Sequence, residues 1–457
     1  MTRITIPGAG ASAGLSRRSL LTLFGAGAVG LGLSGCNFTS SGGGGAASGD
    51  FTFTFWGTGA EKDAVTKVIS DFAKSKGLNP KAQSIPDQYE TKLNTLLAAN
   101  QAPDAGYLTE AMSMRLGEEG KIVSILGKPG FDDILPQALH YWAPDKAVSQ
   151  TAIESMVLWY DEAATSASGV TPPASPTSAW EWDKFVEAAD QLTQDANGRR
   201  PSESGFDAGN VKRYGTAAPS ALPAIVALLK SNGVELFDDA GTKTNLDTPD
   251  AIAVIQKIAD LVFQHRVAPT AAQAATFGAS TALLLASGRV AMAVDGQWAL
   301  LDLGQSKVKY NASVLPKFKE AYTTVLAGAS AVFTSSKHQE PGFELLAQLG
   351  DPEKVPLYAN GLWMPLQKKY YTDQTAIDSW TKNSVHPSNF RTAVIDAVLG
   401  NTVALPSYKI KNWATIQTTL VNGLSPLFTQ QTDVRAACSR LAADVNKLMQ
   451  GAYQDKA

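Results

Sequence analysis

Strand and helix patterns alternate at the start of the folded part of this 457-residue chain. Phe51–Trp56 reads FTFTFW, where aromatic residues alternate with threonine as in a half-buried strand. A helical spacing of apolar residues follows and ends before Gly77, where a C-terminal cap belongs. A second helical pattern, YETKLNTLLAAN, leads into another short strand. This order predicts a parallel α/β layer, and the length of the chain predicts two domains or lobes.

Further strand and helix patterns continue towards the C-terminus. Thr151–Ala163 is a dense apolar strand that contains one acid, Glu154. A helix is predicted to begin at Ser178, because a glutamate stands three residues later as in a capping box. Another helix is predicted after Thr248, which is followed by Pro249 at the first helical position. Two more strands, in LLASGRVAMAVDGQW and KYNASVLPKF, precede a mostly helical C-terminal part.

The N-terminus has the pattern of an export signal. The pair Arg17-Arg18 precedes an apolar run that is shorter than the roughly 20 residues of a membrane-spanning helix. Leu33–Cys36 reads LSGC, which resembles a bacterial lipobox, so residues 1–35 are predicted to be a twin-arginine lipoprotein signal peptide with Cys36 as the lipidated residue. Residues 36–49 predict a flexible Gly/Ser tether. We therefore expect an extracytoplasmic protein held at the outer face of the cell membrane by its N-terminal lipid only.

The net charge, the cysteine content and one acidic segment exclude several classes of function and site. The net charge is −3 and no run is rich in lysine or arginine, so a nucleic-acid partner is not expected. Cys438 is the only cysteine besides Cys36, which predicts a buried thiol rather than a disulfide. The segment FDDAGTKTNLD lacks the alternating ligands of a calcium loop and predicts a turn between short strands. We predict no metal site, no cofactor and no catalytic residue.

Five segments, in this order, resemble the extracellular solute-binding proteins of sugar ABC importers, the group that contains maltose-binding protein. The resemblance extends from about Phe51 to about Leu448. Its segments are YETKLNTLLAANQAPD, AIESMVLWYDEA, PPASPTSAWEWDKFVEAADQLT, NGVELFDDAGTKTNLDTPDAIAVIQKIADLVFQ and GRVAMAVDGQWALLDLGQSKVKYNASVLPKFK. It implies a periplasmic-binding-protein-like α/β fold, in which two α/β lobes are joined by crossing hinge strands and enclose a ligand cleft.

The resemblance also implies how the chain divides. The N-terminal lobe is expected to comprise residues 50–155 and 328–365, and the C-terminal lobe residues 156–327 and 366–457. The crossing strands are expected in three segments: VLWYDEA, Val325–Phe333 and Leu362–Gln367. A protein of this kind captures a sugar, here expected to be an oligosaccharide, and delivers it to the permease subunits of an ABC transporter. It is expected to act as a monomer.

Trp298 is the first candidate for ligand contact. It ends the stretch GRVAMAVDGQW, and in the family the tryptophan of a strand-end G-x-W lies against a sugar ring. Flat aromatic faces suit the C–H patch of a pyranose, while acids suit its hydroxyl groups. Gly296 is expected to let the backbone turn without a side chain that blocks the cleft.

The resemblance suggests eight further contacts, each weighed against a structural role in the core. Glu154 is favoured because an unpaired acid buried in an apolar strand would be costly. The full set of further candidates is Glu154, Trp56, Glu61, Thr109, Glu110, Trp363, Trp413 and Tyr89. In FDAGNVKRYGTAAPSALPAIVALL only Tyr214 is aromatic, so the resemblance does not extend to maltose as the ligand.

Three alternative functions stay open at the level of sequence. A surface glycoside hydrolase also combines aromatic rings with carboxylates, but it needs two acids that face one bond across roughly 5–9 Å. A binding protein for another solute, such as a polyamine, iron or a peptide, is a second alternative, and polyamine or iron sites would need acid clusters or Tyr/His ligands. A sensor partner that reports its ligand to a membrane kinase would need a protein contact that the sequence does not define.

Overall fold

The strand and helix patterns of the sequence form two β-sheets with helices packed against them. The computed structural model describes residues 49–278 and 280–453. The strands are β1 (Asp50–Phe55), β2 (Asn79–Ser84), β3 (Ala105–Leu108), β4 (Leu139–Ala143), β5 (Lys146–Gln150), β6 (Glu154–Asp161), β7 (Gln194–Asp195), β8 (Val211–Thr216), β9 (Val290–Gly296), β10 (Tyr310–Ser313), β11 (Thr323–Leu326), β12 (Ala329–Val332) and β13 (Thr402–Ala404).

Helices connect these strands and form most of the C-terminal part. They are α1 (Gly59–Ser75), α2 (Tyr89–Ala98), α3 (Glu110–Glu118), α4 (Glu162–Ala167), α5 (Trp182–Leu192), α6 (Leu222–Ser231), α7 (Pro249–Phe263), α8 (Ala271–Phe277), α9 (Thr281–Ala286), α10 (Leu300–Leu303), α11 (Gln339–Leu349), α12 (Lys369–Thr372), α13 (Gln374–Thr381), α14 (Asp396–Leu399), α15 (Trp413–Leu424), α16 (Pro426–Thr429) and α17 (Val434–Asn446). Short 3-10 turns lie at Pro136–Ala138, Pro176–Ser178, Gln297–Ala299 and Pro406–Tyr408.

The first sheet has the strand order β2-β1-β3-β12-β5-β4. β1 runs parallel to both β2 and β3, as the strand–helix–strand pattern predicts. The aromatic residues of the FTFTFW stretch, Phe51, Phe53 and Phe55, are completely buried, and α1 packs on this sheet through its apolar residues. The predicted first strand and helix are therefore confirmed.

The second sheet has the order β13-β11-β6-β9-β8-β7, with β10 paired to β6. A separate apolar core fills it, built largely from α6, α7, α15 and α17. The predicted start of α7 is confirmed, because the Thr248 side chain accepts a hydrogen bond from the Ala251 amide and Pro249 is the first helical residue. The predicted turn after Phe237 is confirmed as well, since Asp238 accepts hydrogen bonds from the Thr242 and Lys243 amides.

Two sequence predictions for this sheet are wrong. VLWYDEA is not a crossing segment, because its first five residues lie in β6 and its last two begin α4, and the described partners of β6 are all strands of the second sheet. A central strand is buried on both faces, which gives it the same continuous apolar pattern. The helix near Ser178 begins later, at Trp182, because Ser178 belongs to a 3-10 turn in which its hydroxyl donates to the Ser175 carbonyl.

The chain passes between the two sheets at three places. The first crossing is Thr151–Ile153, between β5 and β6, and the second is Ala327-Gly328, between β11 and β12. A third segment pairs through Met364 with Ile153. The two-lobed fold is thus as predicted, while the residue bounds given above for each lobe stay a prediction.

Three properties of the described residues bear on function. Cys438 is completely buried, as predicted. Within residues 49–278 and 280–453, no helix is long and apolar enough to cross a membrane. The same residues contain no group of three or more His, Cys, Asp or Glu side chains with the geometry of a metal site. The predicted signal peptide, Cys36 and nearly all of the predicted tether lie outside the described residues.

Candidate functional site

Chain segments from both sheets meet beside the first two crossings. β1 and β3 are parallel, so their carboxyl ends lie at the same edge of the first sheet. Trp56 follows β1, and Thr109 and Glu110 follow β3. Glu61 lies in the first turn of α1 and Glu154 is the first residue of β6, immediately after the first crossing. This edge is where ligands bind in open α/β sheets.

Three glutamates form the centre of the site, and we call Glu61, Glu110 and Glu154 the carboxylate cluster. Burial raises the pKa of Glu154 to about 8, and the nearby charges of Glu110 and Glu61 add to the shift. Burial raises the pKa of Glu61 to about 7, and it also raises the pKa of Glu110, with Glu90 as a further like charge. Desolvation is therefore the first cause of all three shifts, and repulsion by the other two members of the cluster adds to that of Glu154.

The cluster has no counter-charge among the described residues. None of the ion pairs within residues 49–278 and 280–453 includes Glu61, Glu110 or Glu154. No lysine or arginine lowers their pKa values. Each of the three residues as a whole is partly buried, while burial is the first cause of the raised pKa of its carboxyl group.

Aromatic rings border the cluster on the side of the first sheet. Trp56 is half-buried, and its ring lies 4.9 Å from the Tyr107 ring and 5.3 Å from the Tyr89 ring. Trp363 is buried, and it contacts Tyr107 edge-on at 6.3 Å. Tyr89 is buried too, and its hydroxyl donates to the carbonyls of Thr54 and Tyr107. Trp56 therefore offers more surface to a ligand than Trp363 or Tyr89.

Trp298 belongs to the second sheet. It lies in the 3-10 turn after β9 and is half-buried. Gly296 is paired with Met156 of β6, so this turn lies beside the start of β6, two residues from Glu154. The expected role of Gly296 is wrong: its backbone is ordinary, with φ −69°, and its missing side chain makes room for the Trp298 ring. A Cβ at this position would lie 2.1 Å from that ring.

Two candidates have partners inside the protein. The Thr109 hydroxyl donates to the Glu90 carboxylate. Trp413 is buried at the first turn of α15, where it contacts Phe237 edge-on at 6.1 Å. Part of Trp413 borders a pocket of about 310 Å³ between α2, α3 and α15, which Glu90 also borders. The structure thus brings Trp56, Glu61, Glu110 and Glu154 to one region. Thr109 lies next to it and is hydrogen-bonded to Glu90, whose charge acts on Glu110.

Several polar residues of this region are not identified as candidates by any sequence pattern. Tyr107 is 1% exposed, and a hydrogen bond between its side chain and Glu61 partly offsets the rise that burial gives the pKa of Glu61. Both amide atoms of Gln150 and the Ser155 hydroxyl are buried without a hydrogen-bond partner in the described part of the chain. Gln150 is the last residue of β5 and Ser155 the second residue of β6, so these two flank the first crossing. Unpaired buried polar atoms of this kind are rare and call for a ligand, water or an ion as explanation.

A family model for bacterial extracellular solute-binding proteins matches residues 67–384. The chain belongs to this family. No curated protein matches the sequence significantly. Among solved structures, an ABC substrate-binding protein of Listeria monocytogenes in complex with cycloalternan has a TM-score of 0.73 and 20% sequence identity, over 88% of this chain and 99% of that one.

Two further solved structures have the same solute-binding fold. The GacH receptor of Streptomyces glaucescens, solved unliganded and with acarbose, has a TM-score of 0.69 and 17% identity, over 88% of this chain and 99% of that one. The maltose-bound MalE3 protein of T. maritima has a TM-score of 0.67 and 17% identity, over 88% of this chain and 100% of that one. These similarities establish the two-lobed architecture of the solute-binding proteins for this chain.

The side chains of this region have the chemistry that recognition of a polar solute uses. Half-buried rings such as Trp56 and Trp298 provide flat apolar faces, and the carboxylate cluster provides hydrogen-bond acceptors.

Proposed function

We propose that this protein captures a sugar, with an oligosaccharide as the expected form, and delivers it to the permease of an ABC transporter. The observation that carries the proposal is the meeting of half-buried aromatic rings and unpaired carboxylates where the chain crosses between the sheets. Sugar rings have apolar C–H faces and a belt of hydroxyl groups, and these are the surfaces that such residues complement. The cycloalternan and maltose complexes of similar folds support the same reading.

The proposed ligand contacts are Trp298, Glu154, Trp56, Glu61, Thr109, Glu110, Trp363, Trp413 and Tyr89. Trp298 and Trp56 are the strongest aromatic candidates because part of each ring is accessible. Trp363, Trp413 and Tyr89 are buried, so each would contact a ligand with an edge only or would support a neighbouring contact residue. Glu154 is the central acid because both other members of the cluster act on it.

The proposal includes the mode of attachment. Residues 1–35 would be removed as a twin-arginine lipoprotein signal peptide, and Cys36 would carry the lipid. The Gly/Ser-rich residues 36–49 would tether the folded part to the outer face of the membrane. The protein would act as a monomer, with lobes of residues 50–155 and 328–365 and of residues 156–327 and 366–457.

A thermal-shift screen of the chain from Asn37 onwards against mono- and oligosaccharides tests the function. A ligand that binds only the native state raises its stability, by about 2.7 kcal/mol at a concentration of 100 Kd. We expect at least one sugar to raise the Tm and to be recovered intact. Breakdown of that sugar would replace the binding function with glycoside hydrolysis. Stabilisation by a peptide or a metal ion instead of any sugar would contradict the proposal.

A further inference from the structure

The residue before Trp298 is a completely buried glutamine. Gln297 is the first residue of the 3-10 turn after β9 and is 0% exposed. Its side-chain Nε2 donates a hydrogen bond of 2.6 Å to the carbonyl of Gly361, 64 residues further along the chain. One buried side chain thus ties the turn that carries Trp298 to a distant segment.

The segment that this hydrogen bond holds is the third crossing. Gly361 stands two residues before Trp363 and three before Met364. Met364 and Ile153 exchange backbone hydrogen bonds of 2.8 and 3.2 Å. Ile153 in turn precedes Glu154, the first residue of β6. The hydrogen bond therefore connects the turn after β9 with two further proposed ligand contacts.

The backbone of Gly361 suits this contact. Its φ of +84° lies in the left-handed region, which residues with a side chain rarely adopt. A Cβ at this position would lie 2.5 Å from the side chain of Leu300, the first residue of α10, which begins directly after the turn. The glycine thus lets its segment approach the turn closely enough for its carbonyl to meet the Gln297 side chain.

The filling of space in the core does not explain a glutamine at this position. Oε1 of Gln297 is buried and has no hydrogen-bond partner within residues 49–278 and 280–453. A buried acceptor without a partner destabilises the fold, whereas a methionine would occupy a similar space without a polar oxygen. What the glutamine adds is the hydrogen bond from its Nε2 to Gly361.

The same turn is also bonded to the second sheet. Trp159 of β6 donates from its Nε1 to the Gly296 carbonyl at 3.1 Å. The Gly296 amide donates to the Asp295 carboxylate at 2.7 Å, and the Thr281 hydroxyl donates to the same carboxylate at 2.6 Å. Because the turn is fixed both to this sheet and to the third crossing, Trp298 has a defined backbone position although its side chain is only half-buried.

We propose that Gln297 is a positioning residue for sugar binding, whose hydrogen bond to Gly361 holds the Trp298 ring in the orientation that the ligand meets. The inference rests on the proposed sugar-binding function and adds a residue that does not touch the sugar, since it is completely buried. A ring that is already held in place loses less conformational freedom when a ligand binds. The hydrogen bond therefore contributes to affinity without a ligand contact of its own.

The first test is a double-mutant cycle of Gln297 and Trp298. Gln297→Met removes the amide and nearly keeps the size of the side chain. Calorimetric titration with the sugar that raises the wild-type Tm most should show an affinity loss of about 10-fold. In the Trp298→Ala background the same substitution should change the affinity by less than about 2-fold, because the ring through which Gln297 acts is absent. An equal loss in both backgrounds overturns the inference.

A spectroscopic measurement on the ligand-free protein reports on the ring itself. Fluorotryptophan labelling gives Trp298 a fluorine resonance, which is assigned by its absence in Trp298→Phe. We expect Gln297→Met to shift or broaden this resonance, while the resonances of the buried Trp182 and Trp380 keep their wild-type positions. A Trp298 resonance unchanged in position and width overturns the inference, and this result decides the point where Trp298→Ala binds too weakly for titration.

A matched control separates positioning from a general effect on stability. Gln137 also lies in a 3-10 turn, Pro136–Ala138, and its Nε2 donates to the distant Val398 carbonyl at 2.8 Å. Gln137→Met should leave the sugar affinity and the Trp298 resonance as in the wild type. Gln297→Asn keeps an amide that is one methylene too short, so it should behave as Gln297→Met does. If both Gln297 variants fail to fold, the residue serves the fold as a whole and the inference is overturned.

The outcomes separate this inference from the proposed function. If the wild type binds a sugar and Gln297→Met binds it as tightly, the positioning role is excluded while sugar binding stands. If no sugar binds to the wild type but the Trp298 resonance moves in Gln297→Met, the positioning of the ring is supported and the sugar is excluded as its ligand.

Discussion

At the scale of single residues, Glu154 is a buried acid whose ionisation destabilises the folded protein. Burial and two like charges raise its pKa to about 8. The folded protein thus binds more protons than the unfolded chain between about pH 4.5 and pH 8, so this residue lowers stability progressively as the pH rises through that window. The proposed ligand contact at Glu154 would give such a residue a function that the fold alone does not.

Glu154→Gln is expected to stabilise the ligand-free protein in a pH-dependent manner. Glutamine keeps the shape and removes the charge, so the gain should be small at pH 5 and reach about 1–3 kcal/mol at pH 8. Thermal unfolding of wild type and variant across this range measures the difference. An equal Tm at pH 8 would mean that the carboxylate is well solvated in solution.

At the scale of elements, the turn after β9 and the crossing between β11 and β12 determine how the site is presented. Gly296 leaves room for the Trp298 ring, and Gly328 does the same for the Trp56 ring, whose nearest atom would lie 2.5 Å from a Cβ at that position. A glycine thus lies beneath each of the two accessible tryptophans. Ala327 precedes Gly328 with φ 154°, which is unusual for a residue with a side chain.

Gly296→Ala is expected to weaken sugar binding while the fold persists. The new methyl group would overlap the Trp298 ring, which is half-exposed and can swing towards solvent. We expect an affinity loss of about 10-fold or more, a displaced tryptophan fluorescence maximum and a Tm within a few degrees of wild type. Gly209→Ala serves as the control, since a Cβ there approaches only Asp207. Unchanged fluorescence and affinity would show that the ring position does not depend on Gly296.

Ala327→Gly is expected to stabilise the ligand-free protein or leave it unchanged, against the usual trend. A residue held in a sparsely populated backbone region stores about 1–3 kcal/mol, and glycine at such a position releases it at an entropic cost of about 0.5–1 kcal/mol. Ala331→Gly, in the buried interior of β12, should be destabilising by comparison. Denaturant unfolding measures the free energy of unfolding of the two variants. If Ala327→Gly destabilises the protein as much as Ala331→Gly does, the backbone at Ala327 is not strained.

At the scale of the whole molecule, local patterns predicted more of the fold than of the site. The alternation in β1 and the Thr248 cap of α7 depend on neighbours in sequence, and both are confirmed. The first crossing was misassigned because β6 is equally apolar at the centre of a sheet. The approach of Glu61 and Glu110 to Glu154 depends on three elements that are distant in sequence, and no local sequence pattern encodes it.

Sugar binding between the two sheets is the central claim, and Trp298 gives the most direct test of it. The sugar that raises the Tm of the wild type most would be titrated calorimetrically into wild type and Trp298→Ala. We expect the variant to lose about 10- to 100-fold or more in affinity, while its ligand-free Tm stays within a few degrees, since the ring is only half-buried. Undiminished affinity in Trp298→Ala, or a collapse of its ligand-free fold, would contradict the account.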